Sequence, residues 1–138
     1  MKKHVINSCQ TAHFELKRIS SIRRFLIEDA AKTLVTSYIL SRLDYCNCLL
    51  MDTPNSVTQP LQKIQNFAAR LVFLAPRHHN PTPLLEKLHW LPIPEHIKYK
   101  VACMCFNAIN GSGPAYLSEL LMSALRLVHY ALFLTHAC

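Results

Sequence analysis

Glycine and acid are both scarce in this chain. Only 2 of its 138 residues are glycine, which argues against a disordered, low-complexity chain and against a turn-rich all-β fold. Asp and Glu together number 8: Glu15, Glu28, Asp29, Asp44, Asp52, Glu86, Glu95 and Glu119. None forms the adjacent aspartate pair that two-magnesium polymerase chemistry needs. Gly-x-Ser-x-Gly, a Gly-rich phosphate loop and His-Glu-x-x-His are missing as well. A self-sufficient enzyme is therefore not expected, nor a small-molecule substrate, a cofactor or a metal of its own.

Long apolar runs are also absent. The N-terminus, MKKHVINSCQTAHFELKR, lacks the uninterrupted apolar core of an export signal. An intracellular location follows as the expectation, with the six cysteines as reduced thiols. Near the other end, LLMSALRLVHYALFLTHAC is interrupted by Arg126 and His129 and falls short of the roughly 20 apolar residues of a membrane span. A buried or interfacial helix is the expectation there.

What the chain does have is positive charge and aliphatic periodicity. Its 15 Lys and Arg against 8 acids leave +7, unevenly placed. Residues 1–27 carry six basic groups against Glu15, and residues 60–100 carry six against Glu86 and Glu95. Two basic zones on one small domain suit a polyanion, because each cation set beside a phosphate releases a condensed counterion. A solvated basic face is the competing account.

Over residues 28–51, Val35, Ile39, Leu43, Cys46 and Leu50 form one helical stripe, with Glu28 and Asp29 where a helix start favours negative charge. Ser56 and Gln59 stand at capping-box spacing with Pro60 in a first turn. Val57, Leu61, Ile64, Ala68, Leu71 and Ala75 then repeat the stripe, with Gln62, Lys63, Gln65, Asn66 and Arg70 off it. PRHHNPTP is a loop, and Thr82-Pro83 reads as the cap and first residue of a short helix to Leu88. A further helix is predicted from about Pro94 to Asn110, with Ile97, Val101, Met104, Cys105, Ala108 and Ile109 on one face, Gly111 as its terminator and Pro114 opening another. Residues 4–25 are helix-compatible. The predicted fold is all-α, an irregular bundle of four to five helices without a significant sheet.

Two Cys-x-Cys pairs, at Cys46 and Cys48 and at Cys103 and Cys105, raise the question of zinc. Residues two apart on a helix point about 200° away from each other, so one helix cannot aim both sulfurs at one ion, and small buried hydrophobes are the expectation. His78, His79 and His89 lack partners at ligand spacing. In LHWLPIP, the two prolines stiffen Leu91 and Ile93. Trp90 and Leu91 are expected to dock between the 57–75 and 94–110 helices as a structural joint.

Taken together, SRLDYCN (41–47), LQKIQNFAARLV (61–72), TPLLEKLHWLPI (82–93) and IKYKVACMCFNAINGSGPAYLSELL (97–121) resemble, in this order and spacing, the region downstream of the catalytic palm in LINE-type non-LTR retrotransposon reverse transcriptases. The resemblance spans about residues 10 to 122. It implies a thumb-side helical piece of an RNA-directed DNA polymerase that lacks the palm carboxylates, with residues 1–121 as the helical domain and 122–138 as a divergent apolar tail. It also implies sequence-independent contact with RNA or DNA backbone through basic side chains. Charge and placement nominate Lys17, Arg18, Arg23, Arg24, Arg70, Arg77, Lys98 and Lys100, and leave out Arg42, for which Asp44 is the nearer partner. The alternative is a protein-interaction or membrane-surface module using the apolar tail.

Overall fold

Val5, Ala12, Leu16 and Ile19 recur at helical spacing and are buried. They form the inner face of helix α1 (Lys2–Ile22) in the computed structural model of the chain. The structure describes the backbone of residues 2–45 and 47–135 and the side chains of residues 3–45 and 47–126. Among the described residues the fold is all-α, with no strand. The chain divides into two compact units, residues 1–97 and 98–138.

The first unit holds the core. After a 3₁₀ turn (Arg23–Phe25), α2 (Glu28–Val35) leads through a π-helical turn (Thr36–Leu40) into α3 (Ser41–Asp44) as one unbroken rod. The π turn explains the stripe in this rod. Three residues four apart drift around an ordinary helix, but the wider turn advances less per residue and cancels the drift, so Val35, Ile39 and Leu43 are all buried. On the solvent side Thr33, Ser37 and Ser41 each donate a hydroxyl to the carbonyl four residues back, the back-bonding that bends helices.

The predicted helix over 28–51 does not run through. Tyr45 is extended and ends the rod, and a 3₁₀ turn (Asn47–Leu50) follows. The cause is local: Asn47 Nδ2 donates to Asp44 Oδ1 at 2.7 Å, a side-chain bond that competes with helix propagation. Cys46, expected on the stripe, lies outside the described residues.

Helix α4 (Asn55–Val72) buries Val57, Leu61, Ile64, Ala68 and Leu71, as its stripe predicts. Its start differs from the expected capping box. The N-cap is Pro54 and no side chain caps it. Pro60 consequently falls in the second turn, where its missing N–H leaves the Ser56 carbonyl without the usual i+4 donor. The short α5 (Thr82–Leu88) has Pro81 rather than Thr82 as its N-cap, and Asn80, one residue earlier, accepts from the Thr82 N–H through Oδ1 at 3.2 Å. Helix α6 (Ile93–Ile109) begins in the first unit and continues into the second, which contains α7 (Ala115–Thr135). α7 runs without a break through residue 122, the expected start of a divergent tail.

Three helices end in the same device. The N–H of Ala75, Trp90 and Ser112 each reaches the carbonyl five residues back, on Arg70, Leu85 and Asn107, at 2.9 Å. This is the Schellman closure, which puts the residue before each of them in the left-handed region. Gly111 does so at φ 71 without strain, as predicted, whereas Leu74 at φ 53 and His89 at φ 57 carry a Cβ into it, at roughly 1 kcal/mol each. Gly113 allows a close approach instead, since a Cβ there would sit 3.2 Å from the Ala108 backbone.

The Trp90 elbow is a joint held by α4. Because Pro92 and Pro94 have no N–H, the connection offers few backbone groups, and two glutamines satisfy two of them. Gln65 Nε2 donates to the Leu91 carbonyl at 2.8 Å, and the Ile93 N–H donates to Gln62 Oε1 at 2.7 Å. Gln65, placed off the apolar stripe by the sequence, is only 2% exposed. Trp90 is half-buried against the core of the first unit, but Leu91 is exposed rather than docked. His96 Nε2 lies 3.2 Å from Asp44 Oδ1, tying the start of α6 to the end of α3.

In the second unit the predicted apolar face of α6 is mostly not buried. Ala108 is enclosed, Val101 and Cys105 are half-buried, and Met104 and Ile109 face solvent. Within that unit Ser118 Oγ donates to the Ala108 carbonyl at 2.7 Å. The Tyr99 phenol pKa is held above its usual value, first by its side-chain hydrogen bond with Cys103 and then by repulsion from the Cys103 thiolate.

Candidate functional site

Helices α1 and α4 lie side by side in the same sense, His13 meeting Phe67 and Arg23 meeting Leu71. Their buried stripes face each other, and one flank of each is left open. On α1 that flank carries His13, Lys17 and Ser20. On α4, Lys63, Phe67 and Arg70 follow at steps of four and three as one helical row, and Leu74 and Arg77, in the turn after the helix, extend the same wall. The two rows enclose an open groove of about 770 Å³ with Ile64, Leu71 and Ala75 in its apolar floor.

Four of the eleven lining residues, Lys17, Lys63, Arg70 and Arg77, are cationic, and none is a carboxylate. Arg70 is fixed at the rim by its Nε, which donates to the His79 carbonyl at 3.0 Å. His13 is exposed, and its ring centroid lies 5.8 Å from that of the half-buried Phe67 at an interplanar angle of 42°, within the range of tilted aromatic pairs.

The fold brings together three of the residues nominated from sequence: Lys17, Arg70 and Arg77. Arg18 points elsewhere on α1, 3.6 Å from Glu15 and over the Phe14 ring. Arg24 is exposed beyond the end of α1. Lys98 is exposed and Lys100 half-buried, both in the second unit.

Arg23 is the exception among the nominated residues. It is 5% exposed, and its guanidinium is spent on main-chain carbonyls: Nε donates to Leu71 at 3.0 Å, Nη1 to Leu26 at 2.7 Å and Nη2 to Val72. A cation set on the last carbonyls of α4 complements the negative end of that helix. Arg23 is thus a buried clasp between α1 and α4, with three of its five N–H groups on main-chain carbonyls.

Sequence reasoning missed Lys63, His13 and Phe67. The signal was present as a second periodic row beside the apolar stripe, visible only once the row is read as amphipathic in its own right. Arg42, left out of the candidates, is exposed and lines a separate recess of about 250 Å³ with Asn7, Ser8, Thr11 and Tyr45. Asp44 takes Asn47 and His96 as partners. His78, His79 and His89 are exposed. Cys9, Cys48, Cys103 and Cys105 are free thiols, each half-buried rather than fully enclosed. Among the described residues no three His, Cys, Asp or Glu side chains gather as metal ligands would, and no helix is long and apolar enough to cross a membrane. No protein-family model, curated protein or solved structure matches the chain.

Proposed function

We propose that this chain is a non-catalytic helical module, of the kind found downstream of the palm in LINE-type reverse transcriptases, that holds nucleic acid by its phosphates through the groove between α1 and α4. The observation that carries this reading is the lining itself: Lys17, Lys63, Arg70 and Arg77 surround one concavity with no carboxylate among the lining residues. Cations converging on a groove focus potential there and attract a polyanion without regard to sequence.

Fluorescence anisotropy with labelled oligonucleotides at several salt concentrations tests it. Four phosphate contacts give a slope of roughly −3 in log K against log salt for a single strand. The double variant Lys63→Ala with Arg77→Ala should halve that slope, while Arg18→Ala, already paired with Glu15, should leave it nearly unchanged. Absence of binding at low salt, or a flat salt dependence, rejects the proposal.

A second reading rests on a different surface. Tyr116, Leu120, Met122 and Leu125 on α7 are exposed, an apolar display that suits a partner protein or a membrane surface. Co-sedimentation with liposomes, for the full chain and for a chain ending at residue 121, decides it: the tail serves a membrane only if its removal abolishes pelleting.

A further inference from the structure

We infer that the groove is built for single-stranded rather than duplex nucleic acid, with a base stacked on the His13–Phe67 pair; this rests on the nucleic-acid reading above. A duplex shows a protein surface phosphates and sugars and keeps its base faces stacked inside, so a purely electrostatic cradle for it has no use for an apolar floor. This groove has one. Ile64, Leu71 and Ala75 share the lining with Lys17 on the α1 side and Lys63, Arg70 and Arg77 on the α4 side, and apolar surface set beside cations suits the flat bases and charged phosphates of an unpaired strand.

The aromatic pair gives the strand a platform. His13 presents an exposed ring, and Phe67, half-buried behind it, fixes that ring from one side. Leu74 adds a third observation. It is 62% exposed on the groove wall while holding a left-handed backbone that glycine would occupy without strain. Its side chain does little for the core it leaves, and it stands where it can cover the edge of a stacked base.

The test uses the full chain with labelled oligo-dT, oligo-U and a hairpin duplex of equal total charge, at low and moderate salt. The expected result is tighter binding of the single strands than of the duplex by about tenfold or more, with His13→Ala and Phe67→Leu each weakening single-strand binding at least about fivefold and leaving duplex binding within twofold. His13 is exposed, so its variant keeps the fold; circular dichroism verifies this for both. Tighter binding of either sugar supports the inference, and the ratio of the two shows which strand the groove takes. Equal or tighter duplex binding, or variants that weaken both forms alike, overturns it while leaving the phosphate reading intact. Failure of every oligonucleotide to bind at low salt removes both.

Discussion

The two units of the chain use apolar residues in opposite ways. Residues 1–97 bury theirs: stripes on α1, the α2–α3 rod and α4, joined by the short α5 and the start of α6, close into one cluster that includes Leu16, Ile39, Ala68, Val72 and Leu88. Residues 98–138 display theirs, with Ala108 alone fully enclosed among the described side chains and Phe106, Ile109, Tyr116, Leu120, Met122 and Leu125 exposed. The difference teaches that hydrophobic content does not make a core. A core needs stripes on several helices that converge, and a helix apolar around much of its surface has no single face to offer.

That contrast breaks most sharply at a paired substitution. Leu16→Ala removes a fully enclosed side chain and should cost about 3 kcal/mol in urea unfolding, whereas Leu120→Ala, at a site 64% exposed, should stay within about 0.5 kcal/mol. Equal costs would show that α7 is packed in solution. Next in size, Arg23→Ala strips the clasp from the Leu71 and Val72 carbonyls and should destabilise by about 2 kcal/mol, read from the same curves. Gln65→Ala, which orphans the Leu91 carbonyl, should cost about 1–2 kcal/mol.

Smaller and opposite in sign, Leu74→Gly should raise stability by up to about 1 kcal/mol, because it relieves the left-handed strain and gives up little burial. Calorimetry checks this, and a loss instead would mean that the Leu74 side chain packs more tightly than its exposure suggests. The smallest effect concerns Cys9, whose thiol burial pushes above its ordinary pKa. Iodoacetamide at mildly alkaline pH should therefore modify Cys9 more slowly in the folded chain than in urea. The linkage sign follows: a thiol pKa raised by folding contributes stability that is present below the unfolded value and fades as pH rises through the folded one.

Much of this fold could be read from spacing alone. Val57, Leu61, Ile64, Ala68 and Leu71 announce α4 and its buried face, and Gly111 marks the end of α6 where the backbone turns left-handed. Two of the misses depend on contacts far apart in sequence. Arg23 and Leu71 are 48 residues apart, and charge alone made Arg23 a surface group. Gln65 looked like a polar-face residue because the Leu91 carbonyl it satisfies belongs to a loop 26 residues away. The groove was half legible: Lys17, Arg70 and Arg77 were found by charge, but the apolar Phe67 and Leu74 that line it with them carry no charge to flag them. The break at Tyr45 escaped because the stripe continues numerically across it to Leu50, and periodicity does not register a competing Asp44–Asn47 bond.

The π turn at Thr36–Leu40 also bears on how this chain can change length. Such a turn accommodates one residue more than the α-helix around it. Losing a residue between Thr36 and Leu40 would let the rod relax to ordinary helix with both ends still facing inward. Elsewhere in the rod the same deletion would rotate everything beyond it by about 100° and turn the inward side chains out to water.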